Sequence, residues 1–156
     1  MRRQEKKIRE SARIGELLAS TTIGRLGTSG PDGPMIKPVN FIFVDDCFYF
    51  HSALTGEKIR HIKADPRVVF QVERLLEYIP AEGKPCKASQ GYECLIARGR
   101  AEFVEAPERK VIILNALMGK HQPDGGYRSV TAEDAESVAV IRIRVENISA
   151  KHSPIP

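Results

Sequence analysis

The sequence predicts a mainly β fold, an antiparallel β-barrel of about six strands with two to four α-helices. Six segments with strand-like patterns lie along the 156 residues, separated by turn-forming residues. They lack the regular strand–helix–strand rhythm that a parallel sheet requires. With 42% hydrophobic and 28% charged residues, the chain has the size and composition of one globular domain, which we place at residues 1–156.

The N-terminal part predicts a helix followed by a hairpin. Apolar residues at helical intervals predict an amphipathic helix over about Gln4–Ala19, packed on the barrel within an N-terminal segment 1–19. Thr21–Gly27 alternates as a strand, and Ser29–Gly33 contains the Gly, Pro and Asp residues typical of a tight turn. The second arm of this hairpin is expected over Pro34–Val44.

The next segments predict a third strand, a short helix and a fourth strand. Asp45 and Asp46 turn the chain into Cys47–Ser52, so the first three strands are expected to form a meander. Thr55 is expected to cap a helix that ends before Pro66. The following strand, Arg67–Glu73, is apolar on more than one side, which predicts a central position in the sheet.

The C-terminal half predicts two more strands and one helix. A loop over Pro80–Ala88 precedes a long strand, Tyr92–Val104, in which Gly99 would permit the sharp bend of a barrel corner. Pro107 suits the first turn of a mostly apolar helix that reaches Met118. The segment Val138–Val145 supplies the last strand.

Charge and composition restrict the possible partners. The net charge is +4, and it is concentrated within Met1–Arg13, so we expect no nucleic-acid partner. Neither a membrane span nor a secretory signal is recognisable, which predicts no membrane association and a cytoplasmic location. The three cysteines lack a C-x-x-C spacing, and the four histidines lack the spacing of metal ligands, so no metal site is predicted.

One stretch combines groups that favour an anion. A strand ending in His51 and Ser52 leads through a glycine-containing turn into a helix whose first turn carries Lys58. Free N–H groups at a helix start, together with Thr55 and these side chains, would suit a terminal phosphate. Alternatively, Thr55 only caps the helix, Lys58 is solvated and His51 makes an ordinary hydrogen bond. His61, on the same helix, is expected to be exposed, and the position of His121 relative to the site is not predictable.

The same stretch carries a family resemblance. The segments PVNF at 38–41, FYFHSA at 48–53 and GEKIRHIKADPRV at 56–68 follow one another in order. They are joined by IGRLG at 23–27, DGPM at 32–35, GRA at 99–101, LMGK at 117–120 and VIRIRVE at 140–146. Together they resemble the pyridoxamine 5'-phosphate oxidase-like superfamily, and within it the nitroimidazole-resistance branch.

The resemblance implies an FMN-binding split β-barrel that forms a homodimer with FMN at the subunit interface. The phosphate would lie toward His51, Ser52, Thr55 and Lys58, and the isoalloxazine ring along the strand that carries Lys37, Pro38, Val39, Asn40 and Phe41. Lys37 or Arg98 would supply charge near the ring. In that branch a histidine at the position of His51 belongs to the active site, so His51 is the candidate catalytic residue, with cofactor binding as its other reading.

The implied activity is an oxidoreductase in which a reduced nicotinamide is the electron donor and a small organic molecule, with nitroaromatics as one candidate class, is the acceptor. The helix 108–120 and the loop 80–92 would gate the substrate pocket. The alternative is a non-catalytic protein that holds FMN, haem or a deazaflavin. Two departures from the family pattern stand out: Glu57 replaces the arginine that precedes the phosphate-binding lysine in the wider family, and the segment 80–88 has no clear counterpart.

Overall fold

A computed structural model describes residues 7–8 and 10–153 and shows seven antiparallel strands in one sheet with four helices. The mainly β class is therefore confirmed, with one strand more than predicted. The strands are β1 (Ile23–Gly30), β2 (Gly33–Asn40), β3 (Ile42–Val44), β4 (Cys47–Ser52), β5 (Arg67–Ile79), β6 (Ser89–Phe103) and β7 (Ala139–Ser153). The helices are α1 (Ser11–Ser20), α2 (Glu57–Ala64), α3 (Pro107–His121) and α4 (Ala132–Glu136). Within the described ranges, no helix is long and apolar enough to cross a membrane.

The sheet curls around an aromatic core. Its strand order is β2-β1-β5-β6-β7-β4-β3, so β4 and β5 are separated by two strands. Phe48 of β4 and Phe70 of β5 nevertheless pack with ring centroids 4.5 Å apart, and Phe41 lies 5.4 Å from Phe70. All three rings are fully buried. Contacts across the interior between non-neighbouring strands are what a barrel produces and a flat sheet does not.

The expected meander is wrong. The segment Pro34–Val44 forms two strands, because the chain leaves the sheet at Phe41, whose side chain turns into the core. β2 pairs with β1, with Gly30 opposite Gly33 at the turn, whereas β3 pairs with β4. Two strands that are adjacent in sequence therefore lie at opposite ends of the sheet.

A register shift lies beside Gly99, where the sequence predicts a sharp bend. Arg98 pairs with Asn147 and Gly99 pairs with Val145, so the extra residue is Glu146 and the β-bulge belongs to β7. A Cβ at Gly99 would overlap the carbonyl oxygen of Arg144 on β7. Glycine is therefore required here because the two backbones approach closely.

The strands of the C-terminal half are longer than predicted. β5 continues to Ile79 and β6 begins at Ser89, so both extend past the barrel as a ribbon on which Leu75 and Tyr78 are exposed. β5 lies between β1 and β6, which confirms its internal position. β7 likewise runs eight residues beyond the predicted end at Val145. The alternation of apolar and polar residues fades where neither face is fully buried, as in β5 beyond Val72, and the pattern therefore underestimates these lengths.

Helix α1 is shorter than expected and is anchored by a buried carboxylate. It begins at Ser11, since Ile8 is extended and donates its N–H to the carbonyl of Ala150 at 3.0 Å; residues 1–6 and 9 of the predicted helical segment lie outside the described residues. Glu93 of β6, 3% exposed, accepts from Arg13 of α1 at 2.7 Å and from Arg74 of β5 at 2.6 Å. This arrangement fixes the helix across two strands.

The start of α2 differs from the prediction. Gly56, with φ of +120°, is the N-cap, and no side chain caps the helix; Thr55 is exposed. The expectation that His61 is exposed is also wrong. Its ring is 1% exposed, with Nδ1 3.1 Å from the hydroxyl of Thr28. The ring occupies space beside Gly30, where any Cβ would overlap it.

Helices α3 and α4 cover the outer face of β3, β4 and β7. Ile113, Leu114 and Leu117 of α3 pack with Ala135 of α4 and with strand residues that include Val140. Sequence reasoning missed α4. Its signal is the T-x-x-D spacing of Thr131 and Asp134, which forms a capping box in the structure.

Candidate functional site

Four basic side chains from β2, β4, α2 and α3 lie within electrostatic reach of one another. Lys37 lies on β2, His51 on β4, Lys58 on the first turn of α2 and His121 at the end of α3. They act on one another electrostatically: Lys37 on Lys58, and both Lys58 and His121 on His51. We call these four residues the basic cluster. The sequence prediction that Lys37, His51 and Lys58 lie close together is thus consistent with the geometry.

The charges of the basic cluster are not balanced by acids. Within the described ranges, none of its members forms an ion pair. Partial burial and then Lys37 lower the pKa of the Lys58 ammonium. Burial, followed by Lys58 and His121, lowers the pKa of His51. Both shifts mean that positive charge is disfavoured here until a negative charge arrives.

His121 is the member of the basic cluster that sequence reasoning did not place. Its Nε2 lies 3.3 Å from the carbonyl oxygen of Phe41, and burial lowers its pKa more than that hydrogen bond raises it. One helical turn separates it from Leu117, which is buried against the sheet. That i, i+4 spacing was the available signal, because it places His121 on the sheet-facing side of α3.

Lys120, the neighbour of His121, also contacts Phe41, through its aromatic ring. Its Nζ lies 3.9 Å from the centre of the Phe41 ring and donates to the carbonyl of Leu18 at 2.9 Å. Burial lowers the pKa of Lys120 to about 8. The end of α3 therefore fixes the point at which β2 leaves the sheet, through two neighbouring side chains.

The remaining candidates of the β2 strand and the α2 turn lie near the basic cluster in different environments. Pro38 and Asn40 are exposed on β2, Val39 is 8% exposed, and Phe41 is completely buried in the core. Ser52 is half-buried at the end of β4, and Thr55 is exposed in the turn before α2. Among the described strands β2 pairs only with β1, so within that part of the chain its other edge presents backbone N–H and C=O groups free of strand pairing.

Arg98 lies away from the basic cluster, on the outer face of the sheet. Ladder pairing places it in a row with Val69 of β5, Gly27 of β1 and Ile36 of β2, so three strand spacings, about 14 Å, separate it from β2. A cavity of about 400 Å³ is lined by residues of this row. Ile36 is 70% exposed and Val69 38%. We call this surface the outer row.

The chemistry of the basic cluster fits a phosphate. Two lysines, two imidazoles and the N-terminus of an eight-residue helix supply donors and positive potential in one place. Glu57, which stands where an arginine would add charge, is exposed. Among the described residues, no group of three or more His, Cys, Asp or Glu side chains is arranged to hold a metal ion.

Comparisons with known proteins give one family and one fold. The family model described as pyridoxamine 5'-phosphate oxidase matches residues 10–152. A search of curated proteins finds no match. A candidate 5-nitroimidazole antibiotic resistance protein from Bacteroides thetaiotaomicron superposes with a TM-score of 0.81 at 23% identity, over 94% of this chain and 86% of that one.

Two larger solved structures share the fold. The flavocytochrome Anf3 from Azotobacter vinelandii has a TM-score of 0.87 at 19% identity, covering 100% of this chain and 73% of that one. A FAD- and haem-binding protein from Mycobacterium smegmatis has a TM-score of 0.85 at 19% identity, covering 96% and 74%. At these identities the similarity establishes a common architecture.

Proposed function

The chain belongs to the pyridoxamine 5'-phosphate oxidase family, and on this basis we propose that it is a flavin-binding oxidoreductase that uses FMN. The observation that carries the proposal is the basic cluster, which places Lys37, His51, Lys58 and His121 together without acidic partners among the described residues. A phosphate there would relieve the mutual repulsion of the basic groups and would pair with Lys58 and His121, which are only partly exposed. Two solved structures with this fold are named for bound flavin or for a flavocytochrome.

In this proposal the phosphate of FMN lies at Lys37 and Lys58, with Ser52, Thr55 and His51 as further donors. The unpaired edge of β2 supplies backbone groups for the pyrimidine side of the ring, along Pro38–Phe41. Pro38 has no N–H, so at that residue only the carbonyl can bond. Bound flavin supplies transfer of hydride or single electrons between a reduced nicotinamide and a small organic acceptor, with nitroaromatics as the class to test first.

The partner in this proposal is a second copy of the chain, and the outer row is its contact surface. Ile36 and Val69 are strongly exposed and neighbour one another across Gly27. Exposed apolar residues that form a contiguous surface are typical of an interaction site. Arg98 lies in the outer row rather than in the basic cluster. The sequence predicts it as a cofactor-binding residue, and in this proposal it would contact a flavin at the interface from the outer row, whereas Lys58 would contact it from the basic cluster.

His51 is proposed first as a cofactor ligand and second as a proton donor or acceptor. Because its pKa is lowered, the ring is neutral at pH 7 and carries one N–H donor and one acceptor nitrogen. A neutral imidazole can hold a phosphate or ribityl oxygen without transferring a proton. His51→Gln separates the two roles. If His51 only binds the cofactor, FMN affinity should fall and turnover at saturating FMN should be preserved. If His51 is catalytic, FMN affinity should be preserved and turnover at saturating FMN should fall.

The test of the proposal is the absorbance spectrum of the purified protein, followed by mass identification of whatever denaturation releases. FMN is expected, or is expected to bind when added. Lys58→Glu should reduce FMN affinity at least tenfold, since a cation at the phosphate is replaced by an anion. Lys63→Glu on the same helix is the control, because its Nζ lies over the Phe103 ring, outside the basic cluster. Equal losses in both variants, or a protein that takes up no flavin, would refute the placement.

A non-catalytic cofactor-binding protein is the second candidate, favoured by one observation: within the described residues, no acidic side chain forms a hydrogen bond or ion pair with His51. Haem or a deazaflavin would give spectra distinct from that of FMN. Steady-state oxidation of NADH or NADPH with an electron acceptor distinguishes turnover from binding alone.

A further inference from the structure

A second cavity, of about 640 Å³, lies between α1, the β3–β4 turn and α3, and none of the four residues of the basic cluster lines it. Its walls are mostly apolar and include Ile14 and Leu18 of α1, Ile42 and Phe43 of β3, and Ala116 of α3. The volume is within the range of small-molecule sites. We call it the α1 cavity.

One side of α1 is shaped to leave the α1 cavity open. The lining residues Ser11, Ile14, Gly15, Leu18 and Ala19 recur at helical intervals and therefore form a single face. Gly15 is in the interior of the helix, where glycine costs about 1 kcal/mol relative to alanine. A Cβ at this position would meet no atom within 4 Å. The missing side chain is therefore not explained by close packing, and its effect is to keep space free.

Lys120 gives the α1 cavity one polar end. It lines the cavity, and its Nζ donates to the carbonyl of Leu18 and faces the ring of Phe41. An ammonium has three N–H donors, and the bond to Leu18 uses one of them, so at least one remains for a ligand even if another points at the ring. No carboxylate of the described residues pairs with Lys120; Asp46, the other charged lining residue, is exposed on the β3–β4 turn. Burial has lowered the pKa of Lys120 to about 8, so it is still mostly protonated at neutral pH.

We propose that the α1 cavity binds an apolar monocarboxylate, with the carboxylate on Lys120 and the hydrocarbon part along Ile14, Leu18 and Phe43. A carboxylate would supply the counter-charge that the half-buried ammonium lacks, and the walls would bury the apolar part. A neutral apolar ligand would leave the ammonium unpaired, and a cationic one would add repulsion. The cavity shares no lining residue with the basic cluster, although Lys120 acts electrostatically on the neighbouring His121; the proposal does not require a bound flavin.

The test uses isothermal titration calorimetry of the full chain with decanoate, decan-1-ol and decylamine, the two ions below their micelle concentrations and the alcohol below its solubility limit. Decanoate is expected to bind, decanol about tenfold more weakly or worse, and decylamine not measurably. Lys120→Met, which keeps an apolar stem, should lower decanoate affinity to that of decanol and leave decanol unchanged. Lys63→Met, a lysine that also lies over an aromatic ring but outside the cavity, should change neither.

Gly15→Leu locates the ligand. The leucine side chain is expected to fill the α1 cavity and to abolish decanoate binding, while the midpoint of thermal unfolding stays equal to or above that of the wild type. Gly119→Leu is the matched control, because it is a helical glycine with open space around it that does not line the cavity. The proposal is overturned if decanoate fails to bind the wild type, if it binds Gly15→Leu undiminished, or if decanol and decylamine bind as well as decanoate does.

Discussion

Replacing Glu93 tests how the structure holds α1 on the barrel. The Glu93 side chain is 4% exposed, whereas those of its partners Arg13 and Arg74 are 37% and 33% exposed. Removing one partner of a fully buried ion pair costs about 3–5 kcal/mol, because an uncompensated charge stays buried. In Glu93→Gln the charges left behind belong to two arginines that can reach water. We therefore expect a smaller loss, about 2–3 kcal/mol of unfolding free energy.

Replacing an arginine partner of Glu93 should cost more unfolding free energy than replacing Glu93 itself. In Arg74→Met the buried carboxylate remains and loses both bonds from Arg74, at 3.0 and 2.6 Å, while only the bond from Arg13 persists. Arg74 also contacts Glu16 and Ser20 of α1 at 3.3 Å, so this variant loosens the helix directly. The expected order of stability is wild type, then Glu93→Gln, then Arg74→Met.

The pH dependence provides a second check. Burial raises the pKa of Glu93, but the hydrogen bonds from Arg13 and Arg74 outweigh it, and the pKa is lowered overall. The charged form therefore stabilises the fold above the unfolded pKa of about 4.3, and this contribution is lost as the pH falls through the folded pKa. Urea unfolding followed by circular dichroism at pH 7 and pH 4 should show the gap between wild type and Glu93→Gln narrowing at the lower pH. A Glu93→Gln variant within about 0.5 kcal/mol of wild type at pH 7 would contradict the reasoning.

Three further predictions concern the bulge, the buried histidine and the basic cluster. Gly99→Ala should lower the unfolding free energy by about 1–3 kcal/mol, because its methyl group meets the Arg144 carbonyl; Gly119→Ala, with open space, should not, and equal melting temperatures would contradict the close approach. Thr28→Val should cost about 1–3 kcal/mol in urea unfolding, since it leaves Nδ1 of His61 without a partner, whereas Thr55→Val on the exposed turn should cost less than about 0.5 kcal/mol. The pKa values of His51 and His121 are lowered in the fold, so the flavin-free protein should lose stability as the pH falls below about 6.5. A bound phosphate favours the protonated rings, and FMN should therefore raise the melting temperature more at pH 6 than at pH 8. This difference between the two pH values should shrink in His51→Gln.

Local patterns predicted most of the elements but not the way the strands are connected. The hairpin at Gly30–Gly33, the special position of Gly99 and the helix that begins at Pro107 depend on backbone properties of Gly and Pro, which are visible in the sequence. The interruption of the strand at Phe41 could not be predicted, because its neighbours Asn40 and Ile42 continue the strand pattern. The ring turns inward because it packs against the other aromatic rings of the core, which are distant in sequence. Which strands pair across long separations is decided by packing rather than by periodicity.

In the candidate site, too, the sequence predicted some of the residues and only the tertiary structure revealed others. Lys37, His51 and Lys58 were expected together from motif order, and the geometry places them within electrostatic reach. His121 joined them from a helix 70 residues beyond His51, a contact that only tertiary structure creates. The sequence predicts an exposed His61 on a short helix. In the structure the ring is buried, because the hydroxyl of Thr28 lies within hydrogen-bond distance of its Nδ1 and Gly30 leaves space for it.

The strand order sets when the fold can be completed during synthesis. Among the described strands, the β3–β4 hairpin joins the rest of the sheet only through β7, which is synthesised after the other six, by pairs such as Phe48 with Ile143. Until those residues emerge, β4 has an open edge and the aromatic rings inside the barrel have an unsealed wall. Closing a loop of that length is slow compared with helix formation. A nascent chain halted before β7 should therefore be vulnerable to proteases and chaperone-dependent, although six of the seven described strands have already been made.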